Sequence, residues 1–164
     1  MKAAKWICLA GAVLAVVGFF LPFVTVRDEK GSDSITPYQM VFAGQDTQAQ
    51  LTAGGTTPDQ ITADLREVAP IMVGFWVPAI LLAIFATIAI VRGRMSNGLA
   101  ILAMLAALAN IGAWFVFHEA MLEMNKEEPT LRIALGIGTH ALLAGGLLGF
   151  IAAAAAMFRP ERAI

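Results

Sequence analysis

The sequence predicts an all-α membrane protein: a four-transmembrane-helix bundle with a small extracytoplasmic cap made of a short β-hairpin and a short helix. Three observations predict it. Hydrophobic residues make up 59% of the 164 residues and charged residues 14%, against about 45–50% and about 25% in soluble domains. Four stretches carry no charge at all: Trp6–Val26, Val68–Val91, Met95–Phe117 and Ile133–Phe158. Each reaches the roughly 20 residues that cross about 30 Å of hydrocarbon as a helix. Between the first two lies a polar segment with strand-like alternation and two helix-capping signatures. In lipid every backbone donor and acceptor must be paired within its own segment, so the apolar stretches are expected as helices.

The chain reads as one domain with spans at about 6–26, 68–92, 97–118 and 132–158, joined by outer segments 27–67 and 119–131. The first span follows a basic start, "MKAAK", as a secretory signal would. The stretch "FLPFVTV" lacks a small-x-small cleavage site, so it is expected to be retained. Gly11, Ala15 and Gly18 give it one face of small residues suited to close helix contact. Pro22 removes a backbone donor near its end. "FVTVR" alternates like a strand, "DEKGSD" is a turn, and "SIT" is the candidate partner strand.

Next, Thr36, Pro37 and Gln39 form a helix start, with the cap, the first-position proline and the third-position glutamine in place. Gly44 supplies a stop. Tyr38, Met40, Val41 and Phe42 on this turn are the expected outer docking surface. Thr57, Pro58 and Gln60 repeat the capping pattern and open a helix that runs into the second span, where Pro70 and Pro78 are candidate kinks. The third span follows Asn97–Gly98 and is expected to continue a turn or two past the bilayer. Pro129 or Thr130 is expected to open the fourth. Ala141, Gly145, Gly149 and Ala153 give that span a small-residue stripe, read first as a contact inside the bundle and second as a contact with another subunit.

Four spans put both termini on one side. Lys2, Lys5, Arg92, Arg94, Arg159 and Arg162 lie on that side with Glu161 as its single acid, whereas the other side holds eleven acids. The basic excess in short loops predicts cytoplasmic termini, and an outer segment without disulfides fits a bacterial inner-membrane protein. The acidic outer face disfavours nucleic acid as a partner. Cys8 is the only cysteine; it makes no intramolecular disulfide and reads as a small apolar residue.

The deep polar residues are Thr87, Asn110, Thr139 and His140. An ionisable side chain deep in a span is by default a candidate functional residue. The first reading of His140 is an interhelical hydrogen bond with Asn110, at similar depth on the third span. The alternative is a ligand to haem iron or to a chlorin magnesium, with small neighbours leaving room for a flat ring. His118 lies at the outer end of the third span, about 9 Å off the level of His140 by residue counting. A bis-histidine site is therefore not expected. Glu119, Glu123 and Glu127 share one helix face, read first as a solvated helix end and only second as a weak cation site. There is no nucleophile motif, paired intramembrane carboxylate or phosphate loop, so no enzyme is expected.

The layout of four helices, both ends inside and a long first outer loop resembles claudin-like and other tetraspan proteins, without the tryptophan and paired cysteines of the claudin loop. The pattern "FLPFVTV…ITPYQMVFAG" resembles one that recurs in small bacterial four-helix membrane proteins. Both resemblances imply a layout and no activity. The expected role is a non-enzymatic accessory subunit, partnered by other integral membrane proteins, lipid or further copies of itself. A haem- or pigment-binding subunit and an oligomeric channel or small-solute carrier are the alternatives.

Overall fold

The computed structural model describes residues 3–28, 31–42, 58–127 and 132–158. Helix α1 spans Ala4–Val17 and tightens into a 3₁₀ turn at Gly18–Phe20. Strands β1 (Val24–Asp28) and β2 (Gly31–Ile35) follow, then the short helix α2 (Pro37–Phe42). Two long helices come next, α3 (Pro58–Val91) and α4 (Asn97–Glu127). Strand β3 (Arg132–Leu135) leads into helix α5 (Ile137–Phe158). Three helices are long and apolar enough to cross a membrane, at Val73–Val91, Asn97–Glu123 and Ile137–Phe158, and the Ala4–Phe20 segment is a shorter apolar helix.

The helices pack in a ring: α1 beside α3, α3 beside α4, α4 beside α5, and α5 back against α1. The α1–α5 contact is the closest because both faces lack side-chain bulk. A Cβ on Gly11 would lie 2.7 Å from the carbonyl oxygen of Gly145 and 2.9 Å from the nitrogen of Gly149. A Cβ on Gly18 would lie 2.6 Å from the Gly138 oxygen and 3.4 Å from Ala141 Cβ. Ala15 and Ala153 are fully buried. The small-residue stripes of the first and last helices thus meet each other, and their close backbones gain dense van der Waals contact.

The bundle interior divides in two along its length. The end near the termini is alanine-rich, with Ala4, Cys8, Ala89, Met95, Ala100 and Ala156 in one buried cluster. The opposite end is aromatic. Phe23 stands edge-on to Trp76 and to Phe117, with ring centroids 5.5 and 4.5 Å apart, and Phe75 lies 4.1 Å from Phe117. The Trp76 indole N–H donates to the Ala15 carbonyl at 3.2 Å, where the change from α to 3₁₀ geometry alters the backbone bonding. Large rings therefore fill the space that opens as α1 ends.

The first span is shorter than expected. Leu21 is extended (φ −93°, ψ 157°), so the helix stops short of the expected bound at Val26, and residues 24–28 form the strand expected from the alternation of "FVTVR". Pro22 lacks the N–H that a continuing helix would use. The last helix also starts later than expected. Residues 132–135 form β3, which pairs antiparallel with β1 in the register Val24↔Leu135 to Arg27↔Arg132. β1 also pairs with β2, Val24↔Ile35 to Asp28↔Gly31, so the cap is a three-stranded sheet in the order β2-β1-β3. The hairpin alone would leave one edge of β1 unpaired at the foot of the sheet, and β3 satisfies it. Two further bonds join the same chain exits: Gly136 N–H to Phe23 O at 2.7 Å and Gly138 N–H to Pro22 O at 2.8 Å. Gly136 is required there, since a Cβ would fall 2.6 Å from the Pro22 carbonyl carbon.

Helix α3 runs through Pro70 and Pro78 without interruption, 34 residues in all. Helix α4 has 31 residues and continues to Glu127, nine past the expected end of its span. The two long helices thus stand beside a cap carried by the two short ones. Helix α2 packs on α3 and on the 3₁₀ turn, and β3 packs on α4.

Candidate functional site

The late start of α5 relocates the residue singled out by the sequence. His140 is the fourth residue of α5, in its first turn, and its side chain is exposed. Thr139 beside it is fully buried and donates its hydroxyl to the Gly136 carbonyl at 2.6 Å. Asn110 lies deeper on α4, facing Gly146, whose added Cβ would be 3.1 Å from Asn110 Cβ. Gly146 is six residues inward of His140, about 9 Å along the helix. The expected Asn110–His140 hydrogen bond is therefore not formed. Asn110 is fully buried, and neither amide atom has a hydrogen-bond partner among the described residues.

The same shift brings together two histidines that residue counting had kept apart. A cavity of about 300 Å³ opens at the aromatic end between α4, β3 and α5. His118 and His140 both line it, with Trp114 between them and Met121, Leu122 and Leu135 among the apolar walls. The Trp114 and His118 rings stack nearly parallel, 7° apart with centroids at 4.9 Å; His140 lies 6.3 Å from the same indole at 45°. Trp114 and His118 are one helical period apart (i, i+4), which is why they stack. The Trp114 indole nitrogen is buried and has no acceptor among the described residues. A cavity of this size is at the small end of the roughly 300–1,000 Å³ range of ligand sites.

The remaining polar candidates stay apart. Glu119 and Glu123 are exposed on α4, while the side chain of Glu127 lies outside the described residues. Among the described residues no three of His, Cys, Asp and Glu gather as a metal-holding group. Thr87 donates to the Ala83 carbonyl one turn back, at 2.8 Å. Cys8 is buried against the alanine-rich cluster.

A second concave surface faces outward between α1 and α3. Its upper part, about 290 Å³, is lined by Val16, Phe19, Phe20, Val73, Trp76 and Ile80. Its lower part, about 420 Å³, continues from Val16 and Ile80 down to Thr87 and Ile88. On helix α2, expected from the sequence as a docking surface, Tyr38 is exposed and Val41 half-buried. Tyr38 packs beside Phe20 (5.6 Å) and edge-on to Phe19 (6.4 Å), at the head of this groove. The side chains of Met40 and Phe42 lie outside the described residues.

No protein-family profile and no curated protein matches the chain. The site is therefore argued from its own geometry. The sequence named His140 but missed Trp114 and His118 as its companions. The signal that would have found them is "RIAL" before a glycine, a strand rather than the start of a helix.

Proposed function

We propose that the chain is a non-enzymatic accessory subunit of a bacterial inner-membrane complex, with both termini cytoplasmic, that receives a transmembrane helix of a partner subunit in the groove between α1 and α3. The groove carries this reading. It is apolar apart from Thr87, runs along both helices, and ends under the exposed aromatic pair Phe20 and Tyr38. Ridges of a partner helix fit a groove between two helices, and van der Waals packing drives such association in lipid.

Orientation rests on charge. The Lys5 ammonium donates to the Gly93 carbonyl at 2.7 Å, so the basic N-terminus and the Arg92–Arg94 turn share one end of the bundle. Short basic segments stay on the cytoplasmic side.

The test fills the groove. Ile80 is exposed at its middle, so Ile80→Trp leaves the bundle interior untouched. Purification from native membranes in mild detergent should yield a defined partner with the wild-type chain and lose it with Ile80→Trp, while the variant elutes as a folded protein. A wild-type chain that purifies alone as a monomer, or a partner retained by Ile80→Trp, refutes the reading. A partner that proves to be a second copy makes the complex a homo-oligomer.

A further inference from the structure

We propose that the turn between α3 and α4, together with the start of α1, holds the phosphodiester headgroup of an anionic phospholipid between Lys5, Arg92 and Arg94. The site rests on the reading that the bundle spans a membrane. It depends neither on the α1–α3 groove nor on a partner subunit.

The fold places these cations together. Lys5 is half-buried in the first turn of α1, and its ammonium donates to the Gly93 carbonyl at 2.7 Å. That bond sets Lys5 against the turn that carries Arg92 and Arg94. The turn is itself fixed. Its Arg92 and Gly93 N–H groups donate to the Ile88 and Ile90 carbonyls at 3.0 and 2.9 Å. Gly93 has φ +71°, a left-handed conformation that glycine adopts without steric cost. Met95 is buried in the alanine-rich cluster and anchors the far side of the turn, while both arginine side chains are exposed. An ammonium carries three N–H donors and a guanidinium five. The bond to Gly93 uses one of them.

Charge selects an anion. Every acid among the described residues lies on β1, β2, the opening turns of α3 or the closing turns of α4, at the opposite end of the bundle. Lys5, Arg92 and Arg94 therefore have no counter-ion among the described residues. The sequence adds Lys2, Arg159 and Arg162 to this end against Glu161, all four outside the described residues. The surroundings favour a lipid over a free anion or an acidic protein segment. Trp6, inward of Lys5 on α1, and Val91, inward of Arg92 on α3, are exposed apolar side chains. On both helices a cation thus stands at the edge of lipid-facing apolar surface, and an indole lies at the level where such rings favour the membrane interface. A ligand with an anionic head and an apolar body meets both surfaces. A free phosphate meets the cations alone.

The test titrates the full chain in detergent micelles with dioleoyl phosphatidylglycerol or with dioleoyl phosphatidylcholine, which has the same acyl chains and no net charge, and counts retained lipids by native mass spectrometry. The expected result is one phosphatidylglycerol held about tenfold or more tightly than phosphatidylcholine. Arg92→Gln and Arg94→Gln should each weaken it by about fivefold, the effect of one basic group at a membrane surface. Both are exposed turn residues, so their variants remove no packing. Lys126→Gln, exposed at the other end, should leave retention unchanged, and Trp6→Ala should weaken it. Equal retention of the two lipids overturns the proposal, as does phosphatidylglycerol binding that the double arginine variant leaves intact. Equal weakening by Lys126→Gln overturns it in favour of diffuse charge attraction, and displacement by equimolar inorganic phosphate in favour of a free anion. Ile80→Trp, which tests the groove, should leave this binding intact, so either proposal can fail alone.

Discussion

Asn110 and Gly145 show how single residues set the energetics of this bundle, in opposite directions. Asn110 is fully buried against Gly146 with both amide atoms unpaired among the described residues, a state that costs about 1–3 kcal/mol for each desolvated polar group. Asn110→Leu, close in volume, should therefore raise the thermal unfolding midpoint in detergent; a lowered midpoint would mean that an internal water or a bound group satisfies the amide. Gly145 has no room for even a methyl group: a Cβ there would sit 2.7 Å from Ala15 Cβ and 2.8 Å from Ala15 N. Backbone atoms cannot swing aside as a side chain can, so Gly145→Ala should destabilise by about 1–3 kcal/mol, the usual cost of overpacking. Unfolding curves in one detergent, run side by side, should show the two substitutions moving apart. Trp76→Phe would keep most of the aromatic cluster and remove the bond to Ala15; its expected cost is about 1 kcal/mol.

At the scale of elements, the cap depends on β3 as much as on the hairpin. Gly136 lies so close to the Pro22 carbonyl that any side chain would push β3 off β1. Gly136→Val should therefore speed amide exchange at Val24, Val26 and the other β1 positions while leaving α3 and α4 protected. Equal protection across β1 in the variant would show that β3 is dispensable. This element also shows where the sequence was legible and where it was not. The apolar runs announced the long helices, because lipid leaves few other ways to pair their backbones. The Thr36–Pro37 and Thr57–Pro58 capping signatures marked two helix starts, observed at Pro37 and Pro58. In contrast, "RIALG" is apolar, short and continuous with a span, and periodicity alone cannot separate such a run from helix. Its pairing depends on residues more than a hundred positions earlier. Because the start of α5 moved by that one element, the depth of His140 moved with it, and the expected bond to Asn110 gave way to a shared cavity with His118.

At the scale of the whole molecule, the design is two long helices and two short ones. Helices α3 and α4, 34 and 31 residues long, rise past the ends of α1 and α5, and the sheet and α2 occupy the step this leaves. The histidine cavity opens on the aromatic half, between β3 and α4, whereas the groove heads there at Phe20 and runs on into the alanine-rich half at Thr87 and Ile88. The pairing of α1 with α5 also has a consequence in time. Ribosomes deliver the N-terminal helix first, and its closest partner last. Until α5 is made, α1 exposes the glycine face of Gly11 and Gly18, and β1 lacks the neighbour that covers its second edge. Contacts this distant in sequence close late. A chain stopped after Glu127 should leave α1 loosely held and be cleared quickly by membrane proteases. Co-expression of the missing Arg132–Phe158 piece should restore it, measurable as pulse-chase half-life. An equally long half-life for the stopped chain alone would show that α3 suffices to hold α1. During synthesis, then, the opening helix waits for the closing one.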